Sequence, residues 1–328
     1  MRIIEVLADC GHADTLRSIA EQQEILDVWV NQSVEENRCS MRLLVRPEKQ
    51  QGVLDAVQSS LSGSENWRVL IHPIEAVLPR PPETEKDQSA GMRLREELYA
   101  NLEADSRLNS NYLWLVVLST VVASIGLIED NVAVVIGAMV IAPLLGPNIA
   151  LAFGAALGDR VLILRSLQTN FVGLSLALVL ATIIGLLWPV GITSHELLAR
   201  TDVGMDSVAL ALASGAAGVL SLTTGLSTAL VGVMVAVALL PPTATLGLTL
   251  ASGNFHLALG AGLLLLVNIV SVNLAAKLVL MIRGVKPRTW LEKQKARQST
   301  LAYTVFWLVT LILLVGAIQV YHAYFMVR

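Results

Sequence analysis

The sequence predicts an α-helical polytopic membrane protein of about seven spans, preceded by a small soluble α+β module. Of its 328 residues, 54% are hydrophobic and only 15% are charged, and the mean hydropathy is +0.64. The charges are also uneven, because residues 1–111 carry 12 basic and 19 acidic side chains, whereas residues 112–328 carry 11 and 7. An acidic first third argues against nucleic acid as a partner.

Residues 1–78 alternate strand-like and helix-like stretches in the order βαββαβ. The patterns occupy, in turn, 2–8, 12–22, 26–33, 40–46, the stretch after Pro47, and 67–77. This order predicts a ferredoxin-like module. The first residues lack the long apolar stretch and cleavage site of a secretory leader, so we expect the N-terminus to be cytoplasmic.

Both cysteines, Cys10 and Cys39, fall in this module. Two cysteines are too few for a disulfide scaffold or a four-cysteine metal site, and they are compatible with a reducing cytoplasm. His12, His72 and Cys39 show neither metal-ligand spacing nor a nucleophile beside a base, so a structural role is favoured over a metal or catalytic cluster. We expect no metal, no cofactor and no enzymatic activity.

Residues 79–111 join the module to the membrane body. The proline-rich polar stretch at 79–87 predicts a linker, and 90–108 predicts an amphipathic helix. Its apolar side is formed by Met92, Leu94, Leu98 and Leu102. Such a helix either lies along the membrane surface or packs on the soluble module, and in both cases it would couple the two parts.

Seven apolar runs are long enough to cross a hydrocarbon layer of about 30 Å, which takes roughly 20 helical residues. They lie at 112–128, 132–158, 161–188, 206–222, 227–253, 255–282 and 301–322. They divide the body into a first repeat (112–188), an outer loop (189–205), a second repeat (206–282), a basic inner loop (283–300) and a final span (301–328).

Two stretches that align without gaps at an offset of 95 residues indicate an internal duplication. The stretch VVIGAMVIAPLLGPNIALAFGAALGD begins at Val134, and ALVGVMVAVALLPPTATLGLTLASGN begins at Ala229. Each repeat holds three segments, so the second copy is inverted if all three cross. Full crossing places Arg160 and Arg165 on the inner side with the basic loop, and leaves the C-terminus outside. Re-entrant hairpins are the competing interpretation, and they would move these two arginines outside.

The middle segment of each repeat is interrupted by proline. The breaks are formed by Pro143, Gly146, Pro147, Pro241 and Pro242. We expect half-helices from Asn148 and from Thr243, with N-termini that converge near mid-membrane and favour anionic groups. The polar side chains nearest this point are Asn148, Asn170, Thr243, Thr245, Asn268, Ser271 and Asn273.

The charge pattern favours a small anion or a polar neutral solute at these breaks. No Asp or Glu lies mid-span in 131–158 or 207–291, which argues against a carboxylate-ligated cation site. The alternative is that the prolines are structural kinks and that the Asn, Ser and Thr side chains hold helices together.

Three charged residues have two interpretations each. Lys277, inside its span, is either a substrate counter-ion or a side chain that snorkels to the basic end of the span. Asp159 beside Arg160 is either half of a surface ion pair or a proton-coupling carboxylate. Asp130 has a charge or proton role as its functional interpretation, and helix capping as its structural one.

Three stretches resemble a known family. They are REELYANLEADSRLNSNY from Arg95, the run SNYLWLVVLSTVVASIGLIEDNVAVVIGAMVIAPLLGPNIALAFGAALGD from Ser110, and LVGVMVAVALLPPTATLG from Leu230. These stretches are similar to the uncharacterised bacterial and archaeal membrane proteins of domain of unknown function 389. GAMVIAPLLGP from Gly137 is the most specific part, and the resemblance covers about residues 95–285.

In one place the chain departs from this resemblance, because Glu129 and Asp130 precede Asn131 where many relatives have a neutral residue. That departure argues against a family site at the carboxylate pair. The resemblance implies a polytopic membrane protein, often with a cytoplasmic N-terminal extension, and supplies no substrate.

Together these features predict a secondary transporter or channel-like protein for a small anion or polar solute in the inner membrane of a prokaryote. Its substrate site would lie at the converging breaks, and the N-terminal module would regulate it. The alternative is a membrane-anchored sensor or scaffold whose soluble module binds a small ligand, without transport. The expected partners are the lipid bilayer, the solute, a small-molecule ligand of the module and a second copy in a homo-oligomer.

Overall fold

The computed structural model describes residues 1–23, 25–32, 38–46, 49–64, 66–74, 77, 95–188, 194–224, 239–283 and 290–325. The chain divides into two compact units, residues 1–96 and 97–328, and each is described by itself. The first unit contains a small sheet, and the described part of the second is helical.

In the first unit, the strands and helices follow the predicted order. They are β1 (Arg2–Asp9), α1 (Ala13–Gln22), β2 (Asp27–Gln32), β3 (Arg38–Val45), α2 (Gln50–Leu61) and β4 (Arg68–Pro73). The strand order is β2-β3-β1-β4, and every neighbouring pair is antiparallel. Alternate side chains of β1 and β3, such as Ile4, Val6 and Met41, are buried in one apolar core with residues of both helices.

Cys10 and Cys39 form a disulfide within this unit, although the sequence predicted no disulfide scaffold. Cys39 lies on β3 opposite Ala8 of β1, and Cys10 follows two residues after Ala8, so the two Cα atoms are 4.9 Å apart. A count of cysteines does not reveal this neighbourhood, because it depends on strand register. The bond encloses α1 and β2.

The second unit consists of long helices and shorter helical segments. They are α3 (Arg95–Asp105), α4 (Ser110–Ile128), α5 (Val132–Ile141), α6 (Leu145–Leu157), α7 (Arg160–Leu187), α8 (His195–Ala199), α9 (Met205–Thr224), α10 (Leu240–Ala251), α11 (Phe255–Ile282) and α12 (Trp290–Phe325). The first of them, α3, begins two residues before the boundary of the unit at residue 97.

Five described helices are long and apolar enough to cross a membrane, namely α4, α7, most of α9, α11, and residues 303–323 of α12. Helices α5 and α6 together meet the same test but are bent by 48° at their junction, so they add a sixth span if they form one broken span. The remaining predicted span, 227–253, falls partly outside the described residues, because they resume at 239.

The helix bounds repeat at the offset found in the sequence. Helices α4 and α9 begin at residues 110 and 205, α6 and α10 at 145 and 240, and α7 and α11 at 160 and 255. The turns after α6 and α10 also correspond, because Gly158 and Gly253 have φ angles of 74° and 73°. A side chain is strained in this left-handed region, which explains why glycine stands at both turns.

Both half-helices begin three residues earlier than predicted. Helix α6 starts at Leu145 and α10 at Leu240, so Pro147 and Pro242 lie in the first turn rather than before it. The first amides of a helix have no intrahelical acceptor, so a proline there removes no helical hydrogen bond. Pro143 lies in the bend itself, after the extended residue Ala142.

Helix α3 packs its apolar side against α6 of the second unit. Leu98 and Leu102 are buried in one apolar cluster with Leu145, Ile149 and Phe153 of α6. Met92 and Leu94, the other two predicted apolar positions, lie outside the described residues. The helix therefore rests on the half-helix that follows the bend.

Candidate functional site

The two half-helices lie along α7 and run in opposite directions. Near the end of α6, a Cβ atom added at Gly154 would be 3.2 Å from the amide nitrogen of Ile163, at the start of α7. Near the end of α10, Ala251 approaches the other end of α7, where a Cβ added at Gly185 would be 2.7 Å from its Cβ. Because α7 is one continuous helix, the N-termini of α6 and α10 both point toward its middle.

Apolar side chains fill the region between the two N-termini. Leu144 and Leu239, the residues just before α6 and α10, belong to one buried cluster that also contains Ala142 and Leu240. A solute that passes here would therefore have to displace or pass around leucine side chains. The polar part of the site lies one turn further along.

Asn148 and Asn273 form the polar centre of the candidate site. Asn273 of α11 donates a hydrogen bond of 2.5 Å from Nδ2 to Oδ1 of Asn148, and a second of 2.8 Å to the carbonyl of Ile269. Both asparagines are 1% exposed. The Nδ2 of Asn148 and the Oδ1 of Asn273 have no partner among the described residues. The pair thus retains one donor and one acceptor for a further polar group.

Among the described residues, the other predicted polar side chains form no hydrogen bond with this pair. The Thr243 hydroxyl donates to the carbonyl of Leu239 in its own helix, at 2.7 Å. Thr245 and Ser271 are fully buried, and their hydroxyls lack a partner among the described residues. Asn268 is buried, whereas Asn170 is only half-buried.

The half-helix N-termini offer fewer amide donors than the sequence suggested. In α10, two of the first three residues are Pro241 and Pro242, which carry no N–H, and the amide of Thr243 already donates to Leu239. In α6, Leu145 and Gly146 keep their amides, and only Pro147 lacks one. The N-terminus of α6 therefore offers more free amides to an anion than the N-terminus of α10 does.

Lys277 lies one helical turn after Asn273 and is 1% exposed. Its Nζ lies 5.6 Å from the centre of the Tyr303 ring in α12, a cation–π geometry.

Asp159 and Asp130 are structural caps. Asp159 accepts hydrogen bonds from the amides of Val161 and Leu162 at the start of α7, and Tyr99 of α3 donates to its other oxygen at 2.7 Å. Burial, with this bond to Asp159, raises the pKa of Tyr99 to about 12.

Asp130 accepts from the amide of Glu196 at 2.7 Å and from the hydroxyl of Ser194, and so caps α8. These bonds lower the pKa of its carboxyl, with the Glu196 amide contributing most. Asn131 caps α5 by accepting from the amide of Val134. Asp130 therefore links the start of α8 to the turn just before α5, which begins the bent pair.

Polar contacts hold α3 beside the bend. Arg165 of α7 bonds to Glu103 at 3.1 Å, and the Thr169 hydroxyl donates to the carbonyl of Ser106 at 2.7 Å. Arg107 also pairs with Glu103, at 2.9 Å, and these arginines lower the pKa of that carboxyl. At the end of α3, Asp105 reaches the half-helix, since a Cβ added at Gly146 would lie 3.0 Å from its Cβ.

The chain is similar to the uncharacterized protein MJ0678 of Methanocaldococcus jannaschii, with 32% identity over 296 residues that cover 90% of this chain and 92% of the relative. The family model described as "Domain of unknown function (DUF389)" matches residues 139–274. The chain belongs to the DUF389 family. No solved structure matches it significantly.

In this DUF389 protein, the matched range contains the bend, both half-helix N-termini and the Asn148–Asn273 pair. Asp105 lies before the matched range and was not among the residues that the sequence pattern indicated as functional. One signal was present, because Asp105 falls in the stretch from Arg95 that already resembled the family.

Proposed function

We propose that this DUF389 protein is a secondary transporter or channel-like protein for a small anion or polar solute, rather than an enzyme. One observation carries the proposal: a bent helix pair ends in a half-helix whose Asn148, paired with Asn273, keeps an unpartnered buried donor next to an unpartnered acceptor. Buried polar groups without a partner are costly within apolar spans, so such groups are candidates for binding a polar ligand. A passing solute would be such a ligand.

An inverted duplication is the architecture that we infer for this function. It is supported by the helix bounds that recur at 95 residues and by the opposite directions of α6 and α10 along α7. Each half-helix also packs on the long helix of the other copy. Gly247 of α10 lies against Ala181 of α7, and Asn148 of α6 bonds to α11. Alternating access commonly uses such paired elements around one site.

We further propose that the first unit is a ferredoxin-like regulatory module on the cytoplasmic side of a prokaryotic inner membrane. Its antiparallel order β2-β3-β1-β4 supports the fold assignment. The burial of α3 against α6 supports a regulatory path, because α3 is the first described helix after the module.

The transport proposal is tested by solute flux in proteoliposomes that contain the full chain. Light scattering after osmotic shock reports urea and glycerol, and potassium salts of chloride, nitrate and phosphate with valinomycin report anions. We expect flux of at least one probe, with a loss of about tenfold or more in Asn148→Ala, since one lost hydrogen bond to a solute corresponds to about this factor. Thr310→Val, which removes a hydroxyl on α12 that bonds only within its helix, should retain flux. Rates equal to those of empty liposomes for every probe would contradict the proposal.

A sensor without transport is the second candidate, and the sheet of the first unit supports it. Glu5, 8% exposed, accepts from Ser40 at 2.5 Å and from Arg42 at 3.0 Å, and lies 3.2 Å from the His72 ring. This network lies on the side of β1 opposite the apolar core and could recognise a polar ligand. The sensor model predicts ligand-dependent thermal stabilisation of the first unit and no flux in the liposome assay.

A further inference from the structure

The bend between α5 and α6 adjoins a cavity of about 350 Å³ that the Asn148 site does not use. Its walls come from the end of α3, the start of α4 and the bend, and they include Asp105, Asn109, Ile141, Pro143 and Gly146. The cavity is open to the surface, and the Asp105 side chain is exposed. A small ion with several waters fits this volume, since each water takes about 30 Å³.

The end of α5 brings negative potential to this cavity. The last hydrogen bond of the helix runs from the Ala142 amide to the carbonyl of Ala138, and Ala142 is extended. Residue 143 is proline and has no N–H for the carbonyl of Met139. The carbonyls of Val140 and Ile141 likewise end the helix, and a helix C-terminus carries about half a negative charge.

Asp105 adds a full negative charge at the same place. Its Cβ, Cγ and Oδ2 lie 3.0, 3.3 and 3.4 Å from the position of a Cβ on Gly146, so a larger residue at 146 would press on the Asp105 side chain. Desolvation raises the pKa of this carboxyl above its ordinary value.

Arg107 and Tyr112 also line the cavity, and each bonds to another group. Arg107 pairs with Glu103 at 2.9 Å. The Tyr112 hydroxyl donates to the carbonyl of Thr169 at 3.1 Å. No other charged side chain of the described residues lines this cavity. The cavity therefore combines one carboxylate, a helix carboxyl end and the Asn111 side chain, which offer oxygen ligands suited to a hard cation. The Oδ1 of Asn109 already accepts from the amide of Tyr112, at 2.7 Å.

We propose that this cavity is a sodium site in which the Asp105 carboxylate and main-chain carbonyls at the end of α5 bind the ion. The idea that this sodium ion drives transport rests on the proposed function. The idea that the cavity binds sodium does not. Protons compete for the same carboxylate. An ion at this position would draw the end of α5 and the start of α6 together, beside the turn that carries Asn148.

The test is thermal unfolding of the purified full chain in detergent, with NaCl replaced by N-methylglucamine chloride at constant ionic strength. At about ten times the Kd of sodium, we expect Tm to rise by about 2 °C. The apparent sodium affinity should fall as the pH is lowered from 8 to 5. Asp105→Asn should lose the response, and Glu129→Gln, which removes an exposed acid at the other end of α4, should keep it.

Gly146→Ala provides a second variant that leaves the carboxylate in place. Its added methyl group meets Asp105 at 3.0 Å and should weaken the sodium response at least severalfold. A Tm that does not change with sodium, that changes only with pH, or that responds equally in Asp105→Asn would overturn the proposal. Because the assay measures binding without flux, its failure is distinct from failure of the transport proposal.

Discussion

The hydrogen bond between Asn148 and Asn273 allows a prediction about unequal mutational effects. Replacing Asn148 by alanine removes one hydrogen bond, but Asn273 keeps its 2.8 Å bond to Ile269. Replacing Asn273 instead removes both bonds and leaves the whole amide of Asn148 unpartnered, since its Nδ2 already lacks a partner in the described part of the chain. Both side chains are equally buried and equal in volume, so the truncation costs are similar in the two variants.

The magnitudes follow from this difference. An interhelical hydrogen bond in a membrane protein contributes about 0.6 kcal/mol on average and about 1.7 kcal/mol at most. Leaving a buried polar group unpartnered costs about 1–3 kcal/mol. We therefore expect Asn273→Ala to reduce the free energy of unfolding by about 1 kcal/mol more than Asn148→Ala does, with a coupling energy of about 0.6–1.7 kcal/mol between the two positions.

Reversible unfolding of the full chain in mixed micelles, by titration with sodium dodecyl sulfate, would measure both quantities. The two single variants and the double variant complete a double-mutant cycle, and Thr310→Val serves as the control for loss of a bond within one helix. If Asn148→Ala is the more destabilising change, or if the two effects add within about 0.3 kcal/mol, the geometry inferred for this pair is wrong.

Three further predictions concern the rest of the molecule. Reduction of the Cys10–Cys39 bond, checked by maleimide labelling, should lower the stability of the first unit by roughly 3–4 kcal/mol, since it opens a loop of about 30 residues. The pKa of Glu5 is lowered, mainly by the Ser40 hydroxyl. The contribution of Glu5 to stability is therefore complete above the unfolded pKa of 4.5 and is lost as the pH falls through the folded pKa. Acid unfolding followed by circular dichroism should show that the stability of Glu5→Gln depends less on pH. Gly247→Ala places a Cβ 2.7 Å from Ala181 and should cost about 1–3 kcal/mol, whereas Gly137→Ala, with open space around it, should be neutral or stabilising in the same thermal melts.

Much of the architecture could be predicted because it depends on local chemistry. Apolar runs of sufficient length predicted the five described helices that can span a membrane, and Pro143 predicted the bend, because it removes a main-chain donor wherever it stands. The predicted starts of the two half-helices were wrong by three residues. Proline disrupts a helix interior but is tolerated in the first turn, so its position alone does not mark the helix start.

The candidate site was predictable only in part. Asn148 and Asn273 were both identified from the sequence as polar residues near the breaks, but their direct contact joins positions 125 residues apart. Asp105 was missed because it belongs to α3, which the sequence placed at the membrane surface or on the soluble module. Its amphipathic pattern shows that one side of the helix is buried, and it does not show against which element.

The amino-acid sequence is sufficient to show that the protein has an apolar helical body, where that body is interrupted, and that two of its stretches correspond at an offset of 95 residues. Composition, proline chemistry and repetition are properties of the chain that hold whatever its partners in space. The tertiary structure alone decided that Cys10 meets Cys39, that Asn148 meets Asn273 and that Asp105 meets Gly146. Each of these contacts depends on how helices and strands pack, and packing is set by the combined burial of many side chains rather than by any one segment.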